Sequence, residues 1–233
     1  MFKLHEVIKL DKVASIIDHT NIDLNAKKKE IIETCNQVKR YKMRGVCVRL
    51  ENTAIVSKEL SGTGIKVITL IDPPIGTSPI KKRIEDSKMA IVAGAIELDI
   101  VMNLDDLKNE RYNKIVTELK MITSLAPTKV IIGAEYLNDE EVAKASQLVK
   151  KAGAICVKTS TEKTPFTRED LAKKAKQLKI MRENAPGLLI KASGSIKILE
   201  DALMMIDAGA DIIGTSTGHL IVEGSDIITE SDE

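Results

Sequence analysis

Tryptophan is absent, and three tyrosines and two phenylalanines hold the aromatic share to 2%. Platforms that stack bases or cradle sugars on aromatic faces are therefore not expected. The core must be built from Ile, Val, Leu, Ala and Met. Cysteine is scarce: Cys35, Cys47 and Cys156 stand far apart, an odd number with no Cys-x-x-Cys spacing. That argues against a disulfide frame and against a zinc site. His5, His19 and His219 form no sequence-near metal pattern, so neither a metal nor a cofactor is expected. No apolar run approaches the ~18 residues that span a bilayer. Residues 1–6 lack the layout of a secretory signal. An excess of one charge is missing too: 35 basic against 34 acidic residues leave a net +1. No overall field draws the chain to nucleic acid or to an anionic membrane. The expectation is a cytoplasmic protein with neither of those partners.

What is present suffices for a packed domain. Hydrophobic residues make up 43% and charged residues 30% of 233, which excludes intrinsic disorder. Short apolar runs occur at 15–18, 45–48, 66–71, 96–102, 129–133, 155–158, 188–191 and 211–214. Stretches of helical period lie between them, near 27–42, 52–60, 78–93, 105–124, 138–152, 167–184 and 196–208, with a last short one near 216–223. Such alternation predicts βαβ units and a parallel sheet covered by helices. A doubly wound open sheet and a closed (β/α)8 barrel both fit eight strands. An internal rhythm favours the barrel: Ala93-Gly94-Ala95, Ala152-Gly153-Ala154 and Ala208-Gly209-Ala210 each close a helix just before a strand. No GxGxxG follows the first strand and no GxxxxGK[ST] occurs, which removes support for a dinucleotide fold and a P-loop. The fold class expected is α/β: a single (β/α)8 TIM barrel over 1–233, with an extra N-terminal helix over 3–14 and a frayed acidic tail over 225–233. The basic runs Lys27-Lys28-Lys29 and Lys81-Lys82-Arg83 are expected on solvated faces.

Active sites of such barrels lie at the C-terminal ends of the strands, so polar residues that close an apolar strand are informative. Asp99 interrupts Glu97-Leu98-Asp99-Ile100-Val101, Lys158 ends Ile155-Cys156-Val157-Lys158, and Lys191 ends Leu188-Leu189-Ile190-Lys191. Alternation along a strand points Leu98, Ile100, Val157 and Ile190 at the helices and Asp99, Lys158 and Lys191 at the barrel axis. The two lysines are one βα unit apart and fall on neighbouring strands. Buried lysines are costly for stability alone. The chemistry that wants them is imine formation, in which a neutral lysine amine attacks a carbonyl. Bringing a lysine from a pKa of ~10.4 to near 7 takes about 4 kcal/mol. A like charge at ~4 Å with an effective dielectric of ~20 supplies about that much. The bland alternative is that each lysine reaches out to solvent and Asp99 caps a loop.

At these residues the chain resembles the deoxyribose-phosphate aldolases, class I (Schiff-base) aldolases. The matching segments are Asp18-His19-Thr20, Gly45-Val46-Cys47-Val48, Gly94 to Asn103, Val157-Lys158-Thr159-Ser160-Thr161, Lys191-Ala192-Ser193-Gly194 and Gly214-Thr215-Ser216. They stand in family order and span nearly the whole barrel. The resemblance implies reversible cleavage of 2-deoxyribose 5-phosphate to acetaldehyde and glyceraldehyde 3-phosphate without a metal. It implies Lys158 as the Schiff-base lysine, Lys191 as the lysine that lowers its pKa, and Asp99 as the aspartate that moves protons with Lys191 and water. The phosphate is expected at Gly194, Ser195, Gly214, Ser216 and Thr217, with Thr161 and Lys163 as weaker candidates. Asp18, Thr20 and Cys47 are further active-face candidates, Cys47 being read chiefly as barrel filling, and His19 as a hydrogen-bonded structural residue. The resemblance also implies a homo-oligomer of two or more copies and a small-molecule phosphosugar as partner. Glu162 and Ser195 stand where the family usually has glycine, and Arg49 and Asp72 sit in unusual loops. Arg49 and Asp72 could read a different sugar or pair with each other. The alternatives are a Schiff-base aldolase for another phosphosugar or short aldehyde, and a barrel that binds a sugar phosphate without turnover.

Overall fold

A computed structural model describes residues 12–160 and 167–224. The strands are β1 (Ile17–Asn21), β2 (Gly45–Arg49), β3 (Lys66–Ile71), β4 (Glu97–Val101), β5 (Thr128–Ile131), β6 (Cys156–Lys158), β7 (Leu189–Ser193) and β8 (Ile212–Thr215). Each pairs in parallel with the next, and β8 pairs with β1, so the sheet closes in sequence order. Helices return the chain between strands: α1 (Lys28–Tyr41), α2 (Thr53–Glu59), α3 (Ile80–Val92), α4 (Leu104–Lys108), α5 (Tyr112–Thr123), α6 (Asp139–Lys151), α7 (Arg168–Asn184), α8 (Leu199–Asp207) and α9 (Gly218–Glu223). This is the (β/α)8 barrel that the alternation predicts. No described helix is long and apolar enough to cross a membrane.

Local chemistry sets the element boundaries. On α1 the buried residues Ile31, Thr34, Cys35 and Val38 recur at helical spacing and face the sheet. Asn138 caps α6 by accepting from Glu141 N while donating its own N–H to the Glu141 carboxylate, both at 2.9 Å. That helix begins on Asp139, Glu140 and Glu141 and ends on Lys150 and Lys151, which suits its dipole. The glycine of each Ala-Gly-Ala motif has a positive φ, 101°, 76° and 103° in order, as a left-handed helix end requires.

Two layers of apolar side chains result. Val46, Val48, Leu98, Ile100, Val130, Val157, Ile190 and Ile213 pack outward against the helices. Cys47, Ile68, Leu70, Val101 and Ile131 form a separate cluster inside the barrel on the β2–β5 side. The alternation read for Asp99, Lys158 and Lys191 therefore holds.

Three expectations need correction. The first strand lies at Ile17–Asn21 rather than 15–18, because Ser15 turns back, its Oγ donating to Lys12 O at 2.8 Å. The stretch 105–124 is two helices, broken where Glu110 takes φ 55° and Arg111 and Lys114 fold onto Asp106 at 2.5 and 2.9 Å. Arg83 is not on a solvated face. It is buried, ion-paired with Asp72 at 3.2 Å and Glu118 at 3.6 Å, and donates to Val101 O. Lys27, Lys28, Lys29, Lys81 and Lys82 are exposed as expected. Of the expected N-terminal helix, residues 12–14 are helical and the rest lies outside the described residues, as does the tail 225–233.

Candidate active site

Strand register brings the ionisable groups together. Lys158 on β6 is the register partner of Lys191 on β7, and Asp99 on β4 is that of Lys129 on β5. All four point at the barrel axis. Lys158 Nζ donates to Asp99 Oδ2 at 2.7 Å, and Lys191 Nζ donates to the same oxygen at 2.9 Å. The two amines thus face each other across one carboxylate oxygen. Lys191 Nζ also donates to Asp18 Oδ2 at 2.6 Å. Asp18, Asp99, Lys129 and Lys191 are wholly buried, and Lys158 is 4% exposed.

Lys129 is a site residue that the strand-end search passes over. Its amine donates to Asp99 Oδ1 at 2.9 Å and lies 2.5 Å from Glu97 Oε2. It stands near the start of β5 instead of closing it, so a search confined to the C-terminal strand ends does not reach it. Alternation does: Lys129 and Ile131 share the inward face. Arg44, just before β2, completes the network with bonds of 2.7 Å to Asp18 and to Glu97. Arg44, Lys129 and Lys191 thus match Asp18, Glu97 and Asp99 one for one, with half-exposed Lys66 touching Glu97 at 3.9 Å from the rim. A charged Lys158 is the cation in excess.

Burial pushes the Asp99 carboxyl up, but Lys129, Lys158 and Lys191 outweigh it and hold Asp99 well below the usual carboxylate range. Asp18 is lowered in the same way: burial raises it, while Lys191, Lys129 and Arg44 pull it down further. Burial opposes the charge on Lys191, but Asp18 and Asp99 together raise its pKa. Lys191 is thus held as a cation. The two lysines and the aspartate read from the apolar strands stand within a wider network that also contains Asp18, Glu97, Lys129 and Arg44.

The remaining candidates divide by position. Thr20 Oγ1 donates to Asp18 O at 3.1 Å, on the inward face of β1. Cys47 points inward, its Sγ 3.9 Å from Asp99 Oδ2, and burial then Asp99 raise its pKa. His19 faces away from the axis, with Nε2 2.7 Å from Gln37 Oε1 and Nδ1 3.3 Å from Thr215 O. Those bonds are the structural role read for it. Gly194 and Ser195 both have positive φ, 86° and 59°, in the loop before α8. Ser216 is exposed beside them in the loop before α9. Thr217 is committed within the protein: its N–H donates to Thr215 Oγ1 at 3.0 Å and its hydroxyl to Lys197 O at 2.9 Å. Gly214 leaves room for two side chains, since a Cβ there would lie 2.1 Å from Ser193 Oγ and 2.9 Å from Lys191 Cε. Thr161, Glu162 and Lys163 lie outside the described residues.

Arg49 and Asp72 do not pair. Arg49 Nε donates to Ile22 O at 2.7 Å, while Asp72 holds Arg83 and accepts from Ser78 N at 3.1 Å. Both support loops. Among the described residues no cluster of three or more metal-ligating side chains occurs. A cavity of about 530 Å³ lies at the opposite end, lined by Val13, Ile16, Leu203 and Ile206 among others. It touches none of these ionisable groups.

Comparison with known proteins agrees with this geometry. No family model matches the chain. The chain is 37% identical over 221 residues to a deoxyribose-phosphate aldolase of Geobacillus sp. (strain WCH70), covering 92% of this chain and 96% of that one. It is 36% identical over 214 residues to the corresponding aldolase of Clostridium novyi (strain NT), covering 90% and 94%. Among solved structures, QR15, an aldolase, superposes with a TM-score of 0.81 at 33% identity, over 91% of this chain and 94% of that one. The deoxyribose phosphate aldolase of Aeropyrum pernix, described as tetrameric, superposes with a TM-score of 0.80 at 25% identity, over 95% and 97%.

Proposed function

The chain belongs to the deoxyribose-phosphate aldolase family, and we infer from that premise that it is a carbon–carbon lyase. The reaction is reversible cleavage of 2-deoxyribose 5-phosphate to acetaldehyde and glyceraldehyde 3-phosphate. One observation carries the assignment of roles: Lys158 and Lys191 share Asp99 Oδ2 inside the barrel.

The chemistry follows from that arrangement. The Lys158 amine adds to the C1 aldehyde of the open-chain sugar, and loss of water gives an imine. Removal of the C3 hydroxyl proton breaks the C2–C3 bond, releases glyceraldehyde 3-phosphate and leaves its electron pair in an enamine on Lys158. Protonation at C2 and hydrolysis then free acetaldehyde. In the resting site Asp99 is a weak base, because Lys129, Lys158 and Lys191 together outweigh its burial. Once Lys158 becomes a neutral enamine, Asp99 loses one of those cations and its proton affinity rises. Asp99 then passes protons through a water between the sugar and Lys191. Lys191 and Lys129 stay charged and keep the carboxylate in place.

The phosphate is placed at Gly194, Ser195 and Ser216, where two loops at the strand ends offer main-chain N–H groups. Thr161 and Lys163 remain candidates from the adjoining loop. Commitment of Arg49 and Asp72 to loop structure supports the deoxyribose substrate over a different sugar. A cytoplasmic setting accords with three buried, unpaired cysteines. Assembly into two or more copies is proposed from the tetrameric description of the Aeropyrum pernix relative, and light scattering checks it.

The test is chemical. Incubation with 2-deoxyribose 5-phosphate and borohydride should attach a reduced two-carbon adduct to Lys158, located by mass spectrometry. Lys158→Ala should abolish both labelling and turnover. Unchanged labelling and turnover in that variant would remove the assignment.

A further inference from the structure

Helix α7 turns two polar side chains toward the barrel. Lys174 and Gln177 lie three residues apart on one helical face and are 8% and 3% exposed. Each donates to a main-chain carbonyl beyond or at a strand end, Lys174 Nζ to Ser193 O at 2.6 Å and Gln177 Nε2 to Ala134 O at 2.7 Å. Those two carbonyls flank β6, which carries Lys158. Ser193 is gripped from β6 as well: Thr159 Oγ1 donates to Ser193 O and accepts from Ser193 N, both at 3.0 Å. Burial brings the Lys174 amine down to about 8, with Glu135 and Asp170 opposing in part. An aliphatic side chain of similar length would fill this slot without desolvating a charge. Packing alone therefore gives no reason for the ammonium.

The carbonyl that Lys174 holds matters because of the peptide to which it belongs. Ser193 C=O and Gly194 N–H share one peptide bond. Among the described residues the cis bond is Pro73-Pro74, so this one is trans and its C=O and N–H point in opposite directions. Ser193 N and O both face β6. The Gly194 N–H is thereby turned toward β8, where Ser193 is the register partner of Gly214, and the loop of Gly194 and Ser195 starts from this fixed peptide. A cation on the carbonyl also polarises the peptide and strengthens its N–H as a donor.

We propose that Lys174 is a positioning residue for phosphate recognition, fixing the Ser193–Gly194 peptide so that the loop of Gly194 and Ser195 is held in place to receive the substrate phosphate. The proposal rests on the aldolase reading above and adds a residue that never touches the reacting carbons. Lys174→Met removes the donor and keeps the length. The KM for 2-deoxyribose 5-phosphate should rise about tenfold, the loss expected for one charge-assisted hydrogen bond. The constants for unphosphorylated 2-deoxyribose should not move, and borohydride trapping of acetaldehyde on Lys158 should proceed as in the wild type. Lys174→Gln, which keeps an N–H donor without charge, should raise the phosphate-dependent KM about threefold and provides the measurement where the Met variant is unstable. Equal changes for the phosphorylated and unphosphorylated sugars, or none for either, would overturn the proposal. Failure to trap any adduct on Lys158 in the wild type would instead refute the aldolase reading, so the two failures are distinguishable.

Discussion

At the scale of single residues, the barrel axis shows how little room a buried lysine pair leaves around it. Gly214 on β8 has ordinary backbone angles, yet a methyl group there would meet Lys191 Cε and Ser193 Oγ inside contact distance. Gly214→Ala should therefore push the Lys191 stem aside and pull its amine off Asp18 and Asp99. We expect kcat to fall at least about tenfold, with a stability loss of about 1–3 kcal/mol, as overpacking costs. Steady-state kinetics and a urea titration measure the two effects. Unchanged kcat would show that Lys191 tolerates displacement and is not held to a fixed geometry. The same crowding explains which site residues the sequence reveals. Lys158 and Lys191 are conspicuous because each ends an apolar run. Lys129 ends none, and Asp18 belongs to a strand that starts two residues later than its apolar run suggests. Inward alternation along β5 is the signal that identifies Lys129, and it is as strong as the one that identifies Asp99.

At the scale of elements, strands are legible because helices cover them. A run such as 66–71 has to be apolar on both faces, and β3 occupies those residues. Loops are less so, because their hydrogen bonds come from residues distant in sequence. Arg83 illustrates this. In the run Lys81-Lys82-Arg83 it reads as solvated, but at helical spacing it shares a face with Ser87 and Ala90, both fully buried. Small residues at those two positions leave space for the guanidinium to run beneath α3. There it joins Asp72 in the third strand–helix loop, Glu118 on α5 and the Val101 carbonyl at the end of β4. Burial lowers the Arg83 pKa, with Asp72, Glu118 and Asp106 working against that fall. Arg83→Met should cost about 1–3 kcal/mol, because it leaves two partly buried carboxylates without this cation and the Val101 carbonyl without its donor. A urea titration reads this loss. A variant as stable as the wild type would mean that the carboxylates find water or another partner, and that the loop after β3 does not depend on the arginine.

At the scale of the whole molecule, the barrel interior is divided. Cys47, Ile68, Leu70, Val101 and Ile131 fill the β2–β5 side with hydrocarbon and sulfur. Asp18, Glu97, Asp99, Lys129, Lys158 and Lys191 place an ionic network along the axis, drawing on β1, β4, β5, β6 and β7. Closure of the sheet and ion pairing are therefore coupled, since protonating one carboxylate leaves buried ammonium groups uncompensated on several strands at once. The sign of the pH dependence follows from the shifts. Asp18 and Asp99 are buried, yet their lysine and arginine partners set both carboxyls below their unfolded values. The unfolded chain thus binds protons more readily than the folded one in acid. Their contribution is fully present above the unfolded carboxylate pKa of ~3.9 and is lost as pH falls through the folded values. The urea midpoint should be flat from pH 7 to about 5 and fall steeply below about 4. Sodium chloride at 1 M should change the midpoint little at pH 7, because buried pairs escape the screening that weakens exposed ones. Lys129→Met should reduce the acid dependence, since Asp18 and Asp99 are then less depressed. A midpoint that falls as strongly with salt at neutral pH as with acid would place the stabilising charges on the surface, and the axis network would then contribute to catalysis without contributing to the fold.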